Sequence, residues 1–555
     1  MNKKVCSFPI LFALLALLIG TCAVVFPASA QAAPTSTGFI TVSGTVARNY
    51  DAYQIFSANV VDGDSDAKIA TDFTWASDAV RDAALPVLHS AGMPNSQSTA
   101  QEAAEWLNTD SHLTSALSAQ LARSLQNSGA VLVALNAGTT AKLPCGYWLI
   151  VADDDAIAQG EAGTAPIMVL VGGSAVTVKP KAATPKVAKH VLEDSTDAWQ
   201  KAADATVADD LYWRLSATVP AGLTAYDTYT VRFVDTMSAG LDPSKVAASM
   251  RVYVAAGADG GFDAVQTGKD GRAGTEPAKG WTDITAQCAT KVAADGTFTV
   301  RTGDLIAALG GADAFTAGAR VVAVYNAPLN SACNHGIAKG NPNEVYLRYP
   351  RSPFADQSGD AGFTRTPSDD ACAYTWDLAL TKRGSDGDKP LAGAVLSIAD
   401  DRGRTLSADG TWDAEGKATV TTGEGGRVTV SGVDSGELGV RELKAPKGYT
   451  AFEGTRSVTV KAEGLDVDQV AAAKPKLTIT AESPLRADSA DGSTGSLEAS
   501  LINTPTGTPP SITTGGFMPS TGDMAMYAAA AAAVAGAALI VVALLVKRGG
   551  GSHKE

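Results

Sequence analysis

Short runs of β-prone residues, separated by turns rich in Gly and Asp, fill two long stretches of the chain. In residues 187–365 these runs lie at 211–219, 229–234, 250–255, 297–300 and 321–325. Residues 372–505 repeat the pattern at 376–381, 394–398, 427–430, 438–442 and 457–460. Many short strands with turn signals between them are typical of β-sandwiches. The pattern therefore predicts two tandem β-sandwich domains.

The preceding stretch, residues 35–180, mixes strand and helix signals. Runs at 39–46, 53–61, 146–153 and 166–171 are alternating or apolar and predict strands. Thr99 and Glu102 have the spacing of a capping box, which marks the start of a helix. Farther along, four leucines recur at every fourth residue and predict a helix that packs on a sheet: Leu113, Leu117, Leu121 and Leu125. This stretch is expected to be an α+β domain.

Composition excludes several classes of function. The 555 residues suffice for about three or four domains. The formal net charge of -14 argues against a nucleic-acid partner, because phosphate binding needs a basic face. Five histidines are scattered singly, and no zinc, nucleophile-elbow or phosphate-loop motif occurs, so we expect no metal, no cofactor and no enzyme. A hydrolase would need paired carboxylates in a cleft, whereas the Asp residues fall mostly in turns.

The N-terminus has the organisation of an export signal. In residues 1–30, Lys3 and Lys4 precede an apolar segment at 8–26, and a small-residue site ends at Ala30. The alternative is lipid attachment at Cys22, where the preceding Thr21 replaces the small Gly or Ala that a lipoprotein signal prefers. The chain is therefore expected to leave the cytoplasm.

The C-terminus predicts a membrane anchor. Residues 524–546 carry no charge and are long enough to span a bilayer. Basic residues begin the tail, 547–555, which we expect to stay cytoplasmic. A linker rich in Thr, Pro and Gly leads to the span and, with the motif described next, occupies residues 506–522. By itself this is a single-pass anchor.

The five residues before the span give this anchor a second interpretation. Met518-Pro519-Ser520-Thr521-Gly522, followed by the apolar span and the short basic tail, resembles the LPXTG sorting signal of Gram-positive surface proteins. The resemblance implies that a sortase cysteine attacks the carbonyl between Thr521 and Gly522. The Thr521 acyl group then passes to an amine. The implied location is the cell wall, with peptidoglycan as a covalent partner and the membrane anchor only transient.

Four cysteines remain after removal of the export signal: Cys145, Cys288, Cys333 and Cys372. Four cysteines allow three pairings, and the spacing does not choose among them. Cys288 and Cys333 both fall in residues 187–365, so a disulfide between them is the pair we expect.

Residues 372–505 contain three ordered motifs that carry a family resemblance. They are the opening Leu380-Thr381-Lys382, the central stretch from Gly432 to Glu442, and the closing Leu501-Ile502-Asn503-Thr504-Pro505. Together they resemble the CnaB-type, SpaA-like domain of Gram-positive pilins and adhesins. The resemblance implies an Ig-like sandwich with an intramolecular isopeptide bond between Lys382 and Asn503, promoted by Glu442.

Physical chemistry supports these roles. Burial disfavours the charged form of a lysine and so makes it a nucleophile. Burial also disfavours a carboxylate, so we expect Glu442 to be protonated, to polarise the Asn503 carbonyl and to shuttle protons as ammonia leaves. The alternative is an exposed Lys, an exposed Glu and a turn Asn.

Residues 187–365 resemble the fimbrial D2 domain, of the CnaA type, that is found in pilin shafts. Its motifs appear at 185–189, 229–235 and 341–349. That family forms a Lys–Asn bond promoted by an aspartate. Lys189 matches the family's lysine, and Asp235 matches its aspartate. The family's asparagine stretch is here 349–353, which contains no asparagine. We therefore expect no second isopeptide bond.

The junction between the first two domains resembles a pilin motif. Val176-Thr177-Val178-Lys179-Pro180-Lys181 implies that Lys181 is the amine that attacks the acyl-sortase of the next subunit. Residues 35–180 likewise resemble the N-terminal domain of a shaft pilin. The sequence thus predicts a mainly β, structural shaft subunit of a sortase-assembled, covalently polymerised pilus that supports adhesion. The alternative is a monomeric wall-anchored adhesin that binds a host ligand.

Overall fold

The computed structural model describes residues 37–43, 49–64, 67–109, 112–153, 157, 159–180, 184–221, 225–268, 272–353, 355 and 357–507. Strands dominate this part of the chain, and they form several sheets. The predicted mainly β class, with an α+β N-terminal part, is confirmed.

The first unit combines two sheets with three helices. Strands β5-β1-β8 form one sheet, and β3-β2-β6-β7 form the other, with β4 also paired to β2. The elements are β1 (Thr37–Val42), β2 (Asn49–Asp62), β3 (Lys68–Trp75), α1 (Asp78–Ser90), α2 (Ala100–Asn108), α3 (Ser115–Gln126), β4 (Leu132–Asn136), β5 (Thr140–Pro144), β6 (Gly146–Ala152), β7 (Ile167–Val171) and β8 (Val176–Val178).

Helix signals in this unit have the expected structural origin. The Thr99 side chain accepts from the Glu102 backbone N–H, and the Glu102 side chain accepts from the Thr99 backbone N–H, so the capping box is present. Leu117, Leu121 and Leu125 lie on α3, buried in a core that includes Leu149 of β6. The predicted packing of this helix on a sheet is therefore confirmed, although Leu113 precedes α3.

The second unit packs a six-stranded sheet, β10-β9-β12-β20-β14-β17, against a larger sheet in the order β11-β23-β21-β13-β19-β18, with β22 paired to β21. Its elements are β9 (Lys186–Glu193), β10 (Ala198–Gln200), β11 (Ala202–Asp204), β12 (Tyr212–Val219), β13 (Arg232–Met237), α4 (Val246–Ser249), β14 (Arg251–Ala256), β15 (Val265–Gly268), β16 (Arg272–Pro277), β17 (Thr282–Asp283), β18 (Ala289–Val292), β19 (Thr297–Arg301), α5 (Leu305–Ala308), α6 (Ala312–Phe315), β20 (Ala319–Asn326), β21 (Asn341–Pro350), β22 (Phe363–Arg365) and β23 (Asp369–Tyr374).

The third unit is a smaller pair of sheets around its own core. One has the order β29-β24-β35-β31 with β34 on β35, and the other has the order β27-β26-β25-β30-β32-β33 with β28 on β25. Its strands are β24 (Trp376–Gly384), β25 (Val395–Ala399), β26 (Thr405–Leu406), β27 (Trp412–Asp413), β28 (Val420–Thr421), β29 (Arg427–Val433), β30 (Gly436–Lys444), β31 (Tyr449–Thr450), β32 (Thr455–Glu463), β33 (Lys476–Ala481), β34 (Leu485–Asp491) and β35 (Ser496–Pro505).

Hydrogen bonds and buried contacts join consecutive units, in addition to the continuous backbone. The Tyr349 hydroxyl of the second unit donates to the Glu161 carbonyl at 2.7 Å, and the Gly163 N–H donates to the Arg351 carbonyl at 2.6 Å. Ala162, between them, is buried in the core of the second unit. At the next junction, the Trp376 indole N–H donates to Asp204 at 2.6 Å. These contacts bury polar backbone and side chains where a simple linker would leave them in water.

Candidate functional site

Lys382 is buried because of its place in the alternation of β24. Successive residues of a strand face opposite sides, so Leu378, Leu380 and Lys382 share one face. All three are buried, and the Lys382 side chain has no exposed area. Its Nζ donates to the Leu501 carbonyl of β35 at 3.1 Å. The lysine therefore continues an apolar face into the core instead of reaching water.

Glu442 and Asn503 reach the same place from two other strands. On β30, Glu442 continues the inward face of Leu438 and Val440, and on β35, Asn503 continues that of Leu501. Glu442 Oε1 lies 3.7 Å from Lys382 Nζ. The Asn503 amide Nδ2 lies 2.8 Å from Glu442 Oε1 and 3.0 Å from Oε2. The three predicted residues are thus brought together between the two sheets.

The surroundings of this group favour a neutral amine. Burial lowers the pKa of Lys382 to about 8, and the nearby Glu442 opposes the shift only partly. The Asn503 carbonyl oxygen is buried without a hydrogen-bond partner. Exchange of Oδ1 and Nδ2 by rotation of the amide would set that oxygen against the Glu442 carboxyl. The geometry therefore suits attack by Lys382 on a polarised amide.

A second buried group lies in the second unit around Lys189 and Asp235. Lys189 Nζ donates to Asp235 Oδ2 and, at 2.9 Å, to the Tyr325 hydroxyl, and both charged side chains are fully buried. Burial lowers the pKa of Lys189 to about 8 and raises the pKa of Asp235 to about 6, each against the attraction of the pair. The environment therefore moves both groups toward their neutral forms.

Asn343 completes this second group, although the sequence analysis did not identify it. Its Nδ2 donates to the same Tyr325 hydroxyl at 2.9 Å, and its carbonyl oxygen is buried without a hydrogen-bond partner. Asn343, Val345 and Leu347 share the inward face of β21. Neighbouring Asn341 differs, since its amide is held by Asn334 and by the Ala373 carbonyl. The sequence analysis considered only residues 349–353, which contain no asparagine, and so did not identify Asn343.

The cysteines are not arranged as expected. Cys288, Cys333 and Cys372 are free thiols, so Cys288 and Cys333 are not joined. The Cys288 thiol donates to the Ile284 carbonyl at 3.3 Å, while Cys333 Sγ lies 3.6 Å from His335 Nε2. Each sulfur therefore has a different neighbour. Membership of one domain was not a sufficient reason to pair them.

Several predicted residues lie outside the described residues. They are Lys181, the sorting motif 518–522, the export signal 1–30, the span 524–546 and the tail 547–555. Within the described ranges, no helix has the length and apolar character needed to cross a membrane, and no three His, Cys, Asp or Glu side chains are grouped to hold a metal ion.

Parts of the chain are similar in sequence to known proteins. Residues 377–474 match the SpaA family, a prealbumin-like fold domain. The matched residues lie within the third unit. Over 143 residues the chain is 29% identical to the trypsin-resistant surface T6 protein of Streptococcus pyogenes serotype M6, a match that covers 24% of each protein. The chain thus spans about a quarter of that relative, and the predicted resemblance to Gram-positive pilins is confirmed.

Solved structures of backbone pilins are also similar to the chain. The T6 backbone pilin of S. pyogenes serotype M6, a modular three-domain protein, has a TM-score of 0.45 at 17% identity and covers 86% of this chain and 100% of its own. The major pilin SpaD of Corynebacterium diphtheriae has a TM-score of 0.40 at 15% identity, with 84% and 98% covered.

Proposed function

We propose that the chain is the shaft subunit of a sortase-assembled pilus and that intramolecular isopeptide bonds stabilise it. The carrying observation is the buried group of Lys382, Glu442 and Asn503, in which a lysine with a lowered pKa lies beside a carboxyl group that contacts an amide. A buried charge is costly unless it is paired or chemically removed. Conversion of the lysine and the asparagine into one amide removes the cost.

The proposed reaction balances without any cofactor. The neutral Nζ of Lys382 attacks Cγ of Asn503, while the Glu442 carboxyl donates to the amide oxygen. The C–N bond to Nζ forms, the bond to Nδ2 breaks, and Glu442 passes a proton from the attacking amine to the departing nitrogen. Ammonia is the product. The contact of Glu442 with both partners supports this role.

The second unit offers a second crosslink of the same kind. Lys189 supplies the amine, Asn343 the amide and Asp235 the carboxyl, and the Tyr325 hydroxyl contacts both Lys189 and Asn343. The aromatic walls matter as well, since Lys189 Nζ lies 5.5 Å from the centroid of Trp213 and 5.4 Å from that of Tyr325. Such walls exclude water from the amine, and this burial lowers the pKa of Lys189 although the ring faces attract its charged form.

The bonds between subunits rest on the terminal motifs. In this proposal a sortase cleaves between Thr521 and Gly522, and the acyl group of Thr521 passes to Lys181 of another copy. Transfer of the last acyl group to peptidoglycan fixes the fibre to the cell wall. Adhesion would then be a property of the assembled fibre. The chain itself is a substrate and a building element, and its only chemistry is its own crosslinking.

Intact-mass measurement of the secreted body, residues 31–521 after reduction, tests the crosslinks directly. Each isopeptide bond removes one ammonia, so the two proposed bonds make the body lighter than its sequence mass by two ammonia molecules. Peptide mapping should then find Lys382 joined to Asn503 and Lys189 joined to Asn343. A mass equal to the sequence value would remove the self-crosslinking part of the proposal.

A further inference from the structure

The two oxygens of the Glu442 carboxyl group have different neighbours. Oε2 accepts a hydrogen bond from the Phe452 backbone N–H at 3.2 Å. Oε1 lies 3.7 Å from Lys382 Nζ. Both oxygens contact the Asn503 amide, since Nδ2 is 2.8 Å from Oε1 and 3.0 Å from Oε2. One oxygen therefore faces a backbone donor, and the other faces the amine.

The segment that supplies this N–H is fixed beside the asparagine. Strand β31 pairs with β35, and Thr450 of β31 is in register with Thr504 of β35, the residue that follows Asn503. Phe452 comes two residues after Thr450, and its side chain packs against the core of the third unit. Strand pairing before Phe452 and packing of its own side chain therefore hold its N–H in one place.

Polar contacts also join this segment to the end of the lysine strand, β24, which finishes at Gly384. The Tyr449 hydroxyl donates to Asp386 Oδ1 at 2.8 Å, and Lys389 Nζ lies 3.3 Å from Asp386 Oδ2. The same Nζ lies 5.7 Å from the centroid of the Tyr449 ring. These side chains are largely exposed, so each contact is weak by itself. Together with the pairing of β31, they keep the segment against both strands that carry the crosslink partners.

A backbone donor at one oxygen determines which oxygen of a carboxyl group can carry the proton. In the protonated form, one oxygen is an O–H donor and the other only accepts. A proton on Oε2 would oppose the Phe452 N–H, donor against donor, whereas a proton on Oε1 leaves that hydrogen bond intact. Whenever Glu442 holds a proton, the proton is therefore on Oε1, the oxygen near Lys382 and Asn503.

From this arrangement we propose that Phe452 is a positioning residue for crosslinking, and that its backbone N–H reserves Glu442 Oε1 for proton transfer. The inference rests on the proposed function. Oε1 takes a proton from Lys382 Nζ as the bond from Nζ to Asn503 Cγ forms, and it gives a proton to Nδ2 as the Cγ–Nδ2 bond breaks. Ammonia leaves, and the carboxyl group returns to its initial state. Oε2 keeps its hydrogen bond to the Phe452 N–H throughout.

The test follows formation of the bond while the unreacted body, residues 31–521, refolds from denaturant. Samples are quenched with acid, and peptide mapping gives the fraction of Lys382 joined to Asn503. Phe452→Pro removes the N–H and should slow the reaction by about tenfold or more, a part of the ~10²–10⁴-fold that a positioned acid–base group contributes. Phe452→Leu keeps the N–H and should react at the native rate. Ala451→Pro is the matched control, since it adds a proline one residue earlier and should also keep the native rate.

Amide hydrogen exchange at Phe452 gives a second measurement that does not depend on the folding of Phe452→Pro. It compares two variants that cannot form the bond, Lys382→Ala and Glu442→Ala. Lys382→Ala keeps the acceptor, so the Phe452 amide should stay protected. In Glu442→Ala the acceptor is gone, and the amide should exchange about tenfold faster or more, as expected for the loss of a hydrogen bond to a charged group.

Two results would overturn this inference and leave the crosslink itself in place. One is a Phe452→Pro body that folds and forms the bond no more slowly than Ala451→Pro. The other is equal exchange of the Phe452 amide in Lys382→Ala and Glu442→Ala. A different result, a native body that refolds without ever joining Lys382 to Asn503, would overturn the proposed self-crosslinking and this inference with it.

Discussion

Lys382 and Asn503 lie on adjacent parallel strands with a stagger of two residues, since Lys382 is in register with Leu501 and Asn503 with Gly384. Residues two apart on a strand share a face, so both side chains enter the same core. β24 is the first strand of the third unit and β35 the last. A bond between them would pass tension from one neighbouring strand to the other without stretching the strands between.

Replacement of the carboxyl group should prevent this bond. In Glu442→Ala the third unit should retain one more ammonia than in the native sequence, because the proton shuttle is gone. The crosslink closes a loop of order 100 residues, so by analogy with a disulfide its loss should reduce stability by roughly 4–5 kcal/mol. Mass analysis of Lys382 peptides and chemical denaturation would measure the two effects.

Glu437→Ala is the matched control for that variant. Glu437 lies on the same strand, but its side chain is exposed. It should crosslink and unfold like the native sequence. If Glu442→Ala and the native sequence both have the masses calculated from their own sequences, Lys382, Glu442 and Asn503 are ordinary core residues.

The second crosslink makes a separate prediction. Asn343→Ala and Asp235→Asn should each yield a body lighter than its sequence mass by one ammonia, because the third unit still reacts. Glu344 is an exposed neighbour on β21, and the Glu344→Gln body should be lighter than its sequence mass by two ammonia molecules. Intact mass after reduction distinguishes these cases. A native body that has lost only one ammonia, with Lys189 found unmodified, would contradict this prediction.

The two crosslink groups differ in how far the sequence could reveal them. In the third unit, three ordered motifs marked Lys382, Glu442 and Asn503, and the strand alternation placed each on an inward face. In the second unit, Asn343 also alternates with Val345 and Leu347, but a lone asparagine in such a run gives no sign of its partners. The partners Lys189, Asp235 and Tyr325 become apparent only from the packing of β9 and β20 against β13 and β21.

Contacts between units could not be predicted from the sequence for a related reason. The alternation of a strand specifies its inward face but not the unit that will cover a loop. Ala162, which lies in a stretch assigned by sequence to the first unit, is buried in the second. His335 of the second unit likewise contacts Asp377, which belongs to a different sheet. Such relationships depend on how units dock.

Glu193 and Asp194 should contribute less to stability as the pH rises from acid toward neutral. At the junction of the second and third units, Asp204 Oδ2 accepts three hydrogen bonds, from the Trp376 indole and from the N–H and hydroxyl of Ser435. Burial and the nearby Asp204 raise the pKa of Glu193, and the same two causes raise the pKa of Asp194 to about 6. Acids with raised pKa values favour folding while protonated, and this stabilisation is lost as pH rises through the folded value.

Melting temperatures measured at a series of pH values would test this. Relative to Glu193→Gln, the native body should lose melting temperature as the pH rises toward about 8, the folded pKa of Glu193. Glu193→Gln should flatten the dependence, because its amide cannot ionise. The exposed Glu437→Gln should keep the native slope. A constant difference in melting temperature between the native body and Glu193→Gln over this interval would contradict the assignment.

Polymerisation should depend on Lys181 alone among the lysines of its segment. Lys181→Ala should abolish the ladder of high-mass bands in boiled, denatured wall extracts, because no amine remains to receive the Thr521 acyl group of the next copy. Monomer should still reach the wall, since peptidoglycan offers a different amine. Lys179→Ala is the matched control and should keep its ladder.

Thr521→Ala separates assembly from anchoring. Without the scissile residue, a sortase cannot form its acyl intermediate, so the ladder and the wall-bound monomer should both disappear and the protein should stay unprocessed or escape into the medium. Loss of the ladder with retained monomer is therefore specific to Lys181. An undiminished ladder in Lys181→Ala would move the attacking amine to Lys179 or Lys186, and persistence of the ladder after all three replacements would end the polymer proposal.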